Sequence, residues 1–471
     1  MLEVYRDKKS LDSRCVSQFE LSEEILMENA GIGLKNLLEK LTHAGSVVSI
    51  VCGGGDNGGD GYVLARQLHG RYKVRVLVAK EPKSPLCIKQ YHRALAVGVE
   101  CVKKLLPCDV VVDCLIGSGL KSQLDEAAKK TLAMMQAVGR IKIACDIPSG
   151  ISSSGEVMEG AFCADYTLAM GGVGLALLSD EAKNCVGKIL TAELGVSMSK
   201  YALPSQIKLL EEGDLRLPMR QKRDSHKGDF GHLCIYAGER SGAASLAGMA
   251  ALGFGVGSVS VVGSAQSYFA ELMYEMEVSE KTSAFCIGMG MGMGMGMGMG
   301  MGSVLPSVFD ALPPSLPCVL DADILRLDCI DEILRARENL VLTPHVGEFL
   351  ALWERCFGVK LDKQELVRNR VDYLIEWSER YPHAAIVLKG ANTLIAQKGR
   401  VFINPLGNVA LAKAGSGDVL AGLIGALLAQ GTPLLESALQ ATLAHSLCAK
   451  DFEARNYALR PLDLIDKLSG L

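Results

Sequence analysis

The 471-residue chain lacks most of the features that mark charged-ligand binders, membrane proteins and secreted proteins. Its formal net charge is only −4, so no strong field draws in nucleic acid or an anionic membrane. No run rich in lysine and arginine adds such a patch locally. The 15 cysteines include no CxxC pair, which argues against a zinc ribbon and a thioredoxin-like motif. Many sit in apolar runs such as Ile143-Ala144-Cys145, where a free thiol acts as a small hydrophobe. A cytoplasmic, reducing setting is expected. The most apolar helical stretch, 419–430, is too short to span a bilayer. Residues 1–9 carry charge where a signal peptide would place its apolar core.

What is present is a well-buried globular composition, 49% hydrophobic and 22% charged. The length predicts two or three domains. Continuous apolar runs at 47–51, 74–78, 110–112 and 141–144 read as strands buried on both faces of a parallel sheet. Helical patterns at 62–69 and 122–138 separate them, so a doubly wound α/β domain is predicted. The pattern weakens after 194. Pro204, Pro218 and a charged run from Arg216 to Arg223 place a boundary near 200–222, giving domains 1–200 and 222–471. A second alternating series follows, with strands at 233–236, 259–262, 284–287, 318–320, 340–342 and 386–388. A hairpin is predicted around Lys398-Gly399, and helices at 417–430 and 434–455. Residues 288–302 alternate strictly between glycine and methionine. Glycine at every second position makes a strand costly, so an expanded low-complexity loop is expected.

Two sets of polar residues fall where strands should end. In the first half, Cys52-Gly53-Gly54-Gly55-Asp56-Asn57-Gly58-Gly59-Asp60-Gly61 joins a strand to a helix. Such a loop lets free N–H groups face a phosphate. It is not a Walker A loop, because no Gly-Lys-Ser/Thr follows. Asp113, before Leu115-Ile116-Gly117-Ser118-Gly119-Leu120, and Asp146, before Ile147-Pro148-Ser149-Gly150, end two further strands. A lone strand-end Asp is usually a cap or turn former. Three polar loops at one sheet edge point to a ligand crevice. In the second half, Ala414-Gly415-Ser416-Gly417-Asp418 opens an apolar helix. Its N–H groups can hold a transferring phosphoryl group, and its Asp can accept a proton from the attacking hydroxyl. Asp321-Ala322-Asp323, Thr343-Pro344-His345-Val346-Gly347-Glu348-Phe349 and Lys389-Gly390-Ala391-Asn392-Thr393 follow other predicted strands.

With Met27-Glu28-Asn29-Ala30-Gly31, the first set resembles the epimerase domain of the NAD(P)H-hydrate repair enzymes over residues 1 to about 198. The resemblance implies a Rossmann-like domain in which Asp56, Asn57, Gly58, Gly59 and Asp60, with Gly117, Ser118, Gly119, Leu120, Lys121, Ser122 and Gln123, hold the dinucleotide. It implies that Asp146 is the catalytic acid/base, and that Asn57, Asp113 and Ser149 ligate K⁺, for which oxygen donors are suited. Two departures stand out. Asp56-Asn57 replaces the family's Asn-Asn, and Gly171-Gly172-Val173-Gly174 follows Thr167-Leu168-Ala169-Met170 where the family carries a lysine. The second set, with His226-Lys227-Gly228-Asp229-Phe230-Gly231-His232 and Gly242-Ala243-Ala244, resembles the ribokinase-like dehydratase domain of the same family from about Arg223 to Leu471. That resemblance implies that Lys389, Gly390, Ala391, Asn392, Thr393 and Gly417 bind the adenine nucleotide. It assigns Ala243, His345, Asp418 and a glycine of the tract to the hydrated cofactor, with Asp418 as catalytic base. The family's Gly-Pro-Gly-Leu-Gly falls on the tract, so the glycine is Gly290 counted from the strand side and Gly300 counted back from Ser303.

The implied activity is repair of hydrated NADH and NADPH (NADHX and NADPHX). One domain interconverts the R and S epimers at nicotinamide C6, and the other dehydrates the S epimer at the expense of ADP with Mg²⁺. ADP follows from the bifunctional, bacterial-type arrangement; the residues do not distinguish it from ATP. The family's habit of assembly implies a homo-oligomer, with no nucleic-acid or membrane partner. Two alternatives remain at this stage. The C-terminal fold also serves vitamin-precursor kinases, and domains related to the N-terminal half act elsewhere as non-catalytic scaffolds.

Overall fold

In the computed structural model the chain divides at Ser205/Gln206 into two α/β units. The description covers residues 1–471 except Lys121, Ser264, Ala265, Ser267, 293–307, Asp310 and Ala311.

The unit Leu2–Ser205 is built on a seven-stranded sheet. Its strands lie in the order Glu100–Val102, Lys73–Val78, Val47–Cys52, Cys108–Cys114, Gly139–Cys145, Tyr166–Met170 and Lys188–Ala192. Every neighbouring pair is parallel. Val48, Ile50 and Val51, and Val110 to Val112, are fully buried. Such unbroken apolar runs are what a sheet covered on both faces requires. The helices start on polar caps. Ser22 accepts from Ile25 N–H, Ser84 from Cys87 N–H ahead of Pro85, and Asp125 from Ala128 N–H.

One element starts earlier than its periodicity suggested. The helix predicted at 62–69 is Asp56–Leu68, so Asp56–Gly61 is its first turns and the loop is only 53–55. Its glycines serve close packing. A side chain on Gly58 would begin 2.1 Å from the Gly53 carbonyl, and one on Gly61 would begin 2.7 Å from Cys52 Sγ. Helical periodicity is invisible where the buried face is glycine. Another pairing had no signal in spacing: Cys163 and Cys185 form a disulfide.

The unit Gln206–Leu471 carries parallel strands in the order Met273–Glu275, Ser258–Val262, His232–Tyr236, Ala284–Ile287, Cys318–Leu320, Leu340–Leu342 and Ala384–Leu388. Thr393–Gln397 and Arg400–Asn404 extend the sheet as an antiparallel hairpin. Lys398 and Gly399 both have positive φ, as a two-residue hairpin turn demands. Ile207–Leu209 then pairs in parallel with Val401 to Ile403. Part of the segment expected to link two domains is therefore a strand. The buried helix Ser416–Ala429 packs against the helix Ser241–Gly253 and the sheet. The last predicted helix ends sooner than expected, as Leu434–Cys448 followed by a 3₁₀ segment. Among the described residues no helix is long and apolar enough to cross a membrane.

The glycine–methionine tract departs from expectation where it is described. Met289 and Met291 are 0% and 1% exposed, and Gly288, Gly290 and Gly292 all have positive φ. Residues 288–292 are thus a packed turn at the end of Ala284–Ile287 and not a flexible loop, while the rest of the tract lies outside the described residues. A side chain on Gly288 would begin 1.7 Å from the Asp321 carbonyl. Gly288→Ala is expected to destabilise this unit by about 2 kcal/mol or more, lowering its melting temperature by roughly 4–8 °C. Thermal denaturation checks this, and a wild-type melting temperature would remove the turn's structural role.

Candidate active sites

In the N-terminal unit, strand-end residues enclose a cavity of about 800 Å³. Asp56, Asn57, Asp60, Gly117, Ser118, Gly119 and Asp146 all line it. Gly58 and Gly59 do not line it; they pack against Gly53 and Met27. Leu120, Ser122 and Gln123 are also outside the lining, and Lys121 lies outside the described residues. Lys9, Lys80 and Lys83 contribute to the wall although spacing gave no sign of them.

Asp146 has φ 65°, a left-handed conformation that is uncommon outside glycine and clusters at functional sites. Its Oδ1 accepts from Met170 N–H at 3.0 Å and from Lys8 Nζ. Burial and the Asp146 charge raise the Asp60 pKa well above the usual carboxylate range. The cavity thus holds a carboxyl shifted towards its protonated form and another paired with a cation. In the stretch where the family's lysine was expected, a side chain on Gly171 would begin 2.3 Å from the Tyr201 ring and one on Gly172 3.1 Å from that of Tyr5, whereas one on Gly174 would meet nothing within 4 Å.

Asp113 lies fully buried behind this wall. Its oxygens accept from Ser149 Oγ and Ser149 N–H, both at 2.7 Å, and from Leu115 N–H at 3.1 Å. Burial pushes its carboxyl up to about 6 against these bonds. Ser149 Oγ also meets the Ile116 N–H at 2.8 Å. Both polar atoms of the Asn57 amide are buried without a partner, and a side chain on Gly117 would begin 3.8 Å from its Oδ1. An unpaired buried amide is costly unless a ligand completes it. The donors are oxygens of Asn, Asp and Ser, a set that fits a hard cation.

In the C-terminal unit Gly415, with φ 90°, turns the chain into the helix Ser416–Ala429, whose first-turn N–H groups lack intrahelical partners. Lys389 follows the strand Ala384–Leu388. Its Nζ lies 3.5 Å from where a Gly417 side chain would begin. It donates to Asp321 Oδ1 at 3.0 Å and stands 3.9 Å from Glu348 Oε2. Thr343 Oγ1 donates to the same Asp321 oxygen at 2.6 Å. Burial favours neutral Lys389, but Asp321 and Glu348 outweigh it and raise its pKa. Burial and Asp321 push Asp418 up to about 6, with Lys389 pulling the other way. The Asp418 carboxyl thus exchanges its proton closer to neutrality than an ordinary aspartate.

His345 has a structural task besides any ligand role. Its Nδ1 caps the helix Val346–Phe357 by accepting from Gly347 and Glu348 N–H, while its ring stays 53% exposed. Burial pulls its pKa down, as do Lys389 and Arg326, against Glu348. Gly390 and Ala391 are exposed, Asn392 is buried and Thr393 begins the hairpin. Gly290 meets the helix bearing Ala243; a side chain on it would begin 3.1 Å from Ala243 Cβ. Gly300 lies outside the described residues. Spacing pointed to Asp321 only as a strand-end residue and missed His445 altogether. Buried His445, its pKa drawn down to about 4 by burial, bonds through Nε2 to Ser416 Oγ and O at 3.1 and 3.0 Å. An apolar helix around His445 hides it from any motif search.

These features define a two-site α/β enzyme, one site an acid-lined strand-end cavity, the other a lysine and a near-neutral acid at a helix start. A family model described as NAD(P)H-hydrate dehydratase matches residues 233–469. Another, YjeF-related protein N-terminus, matches residues 23–175. A bifunctional NAD(P)H-hydrate repair enzyme of Helicobacter pylori is 43% identical over 484 aligned residues, covering 100% of both chains. Another, of Thermofilum pendens, is 31% identical over 93% of this chain and 89% of that one. Among solved structures, an ADP/ATP-dependent NAD(P)H-hydrate dehydratase from Bacillus subtilis is 30% identical, covering 53% of this chain and 92% of that one, with TM-score 0.44. The chain belongs to the bifunctional NAD(P)H-hydrate repair enzymes.

Proposed function

We propose that the unit Gln206–Leu471 removes water from hydrated NADH and NADPH at the expense of ADP, with Asp418 as base, and that the unit Leu2–Ser205 inverts C6 through Asp146. The observation that carries this reading is the near-neutral Asp418 beside Lys389 at an amide-rich helix start, in one chain with the cavity that Asp60 and Asp146 line. A vitamin-precursor kinase has no use for that second site.

Hydroxide is a poor leaving group, so the C6 hydroxyl is first phosphorylated. Asp418 accepts its proton while the oxygen attacks the terminal phosphorus of ADP, and the bond to AMP breaks. The Gly417 and Asp418 amides and Lys389 hold the phosphoryl oxygens. Mg²⁺ bound with the nucleotide would supply positive charge against its phosphates. Phosphate then leaves with the C6–O electron pair and takes up the proton that C5 loses, and the C5–H electron pair becomes the returning ring double bond. Ala243, Gly290 and His345 bound the nicotinamide side of this site, and residues 389–393 the nucleotide side. In the other unit Asn57, Asp113 and Ser149 would hold K⁺, which supplies a fixed positive charge behind the cavity wall.

The test is recovery of NADH absorbance by the full chain from the purified R epimer, with ADP and ATP compared. The expected result is complete recovery with ADP. No nucleotide-dependent recovery would remove the dehydratase assignment. Recovery confined to the S epimer would remove the epimerase assignment.

A further inference from the structure

Lys8 precedes the helix Lys9–Phe19, far in sequence from the polar loops, yet its side chain ends on Asp146. Lys8 Nζ donates to Asp146 Oδ1 and, at 3.1 Å, to the Met170 carbonyl. Met170 N–H closes the ring by donating to the same Oδ1 at 3.0 Å. Oδ1 is therefore engaged twice, which leaves Oδ2 for the cavity that Asp146 lines. The side chains are 16% and 19% exposed, so their attraction is less screened than that of a surface pair. Two other carboxyl groups, Asp12 and Asp60, are close enough to interact with Asp146. Lys8 is the cation that stands directly beside Asp146.

The position of Lys8 is itself held. Leu11 and Cys15 of the following helix are buried. Tyr201 OH donates to Asp12 Oδ1 at 2.8 Å, and Arg14 donates to the carbonyls of Lys200 and Tyr201. The Tyr201 ring meanwhile fills the space above Gly171, so a side chain at that position could not reach Asp146 without displacing the ring.

We propose that Lys8 is the positioning residue of the epimerase site, clamping Asp146 Oδ1 against Met170 so that Oδ2 faces the substrate hydroxyl. The inference rests on the proposed role of Asp146. Epimerisation above the spontaneous rate is measured on the full chain for Lys8→Met, Lys8→Arg and Asp146→Asn, with dehydration of the S epimer as internal control. The expected result for Lys8→Met is a fall in kcat of at least about tenfold, because a misplaced acid–base group forfeits part of its roughly 10²–10⁴-fold contribution. KM stays within about twofold, S-epimer dehydration is unchanged, and Lys8→Arg recovers most of kcat. Near-wild-type kcat in Lys8→Met overturns the inference if Asp146→Asn is inactive. Equal loss in Lys8→Met and Lys8→Arg overturns it too, because charge would not be the property that matters. An active Asp146→Asn enzyme instead overturns the underlying role of Asp146, and the Lys8 inference with it.

Discussion

Asp418→Asn is expected to lower ADP-dependent dehydration by about 10²–10⁴-fold, the usual contribution of a positioned general base. Asn keeps the shape but cannot take the hydroxyl proton, so KM for ADP should change little. Epimerisation, carried out by the other unit, should be unaffected. The pH profile gives an independent check. The active form of a base is the ionised one, and the Asp418 carboxyl titrates at about 6. Dehydration should therefore be weak below pH 6, rise through it and level off towards neutrality. Its pKa is raised because burial and the Asp321 charge both oppose a second negative charge, with Lys389 compensating in part. A near-wild-type rate in Asp418→Asn, or a wild-type profile flat through pH 6, would reassign the base.

Lys389→Met should damage both stability and catalysis in the C-terminal unit. Asp321 is 2% exposed and loses its cationic partner, keeping only the Thr343 bond. Removing one member of a buried pair costs about 3–5 kcal/mol; the partial exposure of Lys389 places the expected cost near the lower end. Catalysis falls for two reasons: the phosphoryl oxygens lose a cation, and Asp418 loses the group that draws its pKa down. The acid limb of the profile should move to higher pH and KM for ADP should rise. In Asp321→Asn/Lys389→Met the uncompensated charge is gone, so the double variant should be more stable than Lys389→Met alone. Urea denaturation decides, and additive losses would show that the pair is not coupled.

Much of this architecture was legible in the sequence. Buried parallel strands must be continuous apolar runs, so Val47–Cys52, Cys108–Cys114 and Leu340–Leu342 declared themselves. Ligands in such sheets collect beyond the strand ends, so Asp113, Asp146 and Lys389 were singled out as candidates by position, and the loop before Asp418 as a glycine-rich helix start. Helix starts were less legible where glycines line the buried face, as at Asp56–Leu68. The described part of the glycine–methionine tract carried a misleading signal. Its composition suggests an expanded loop, but its glycines meet a need for positive φ beside the Asp321 carbonyl, and its methionines are buried.

The loop that begins the helix at Asp418 was thus determined by local sequence, because a glycine-rich helix start with an acid is a local structure. Its near-neutral pKa was decided only by folding, which buries it between Asp321 and Lys389 from separate strand ends. The same holds for Asp146, identified by its strand-end position but paired with Lys8 across a sequence separation of 138 residues. Spacing reports which residues share a turn or a face. Charges that meet across a site are set by packing, and no local pattern encodes them.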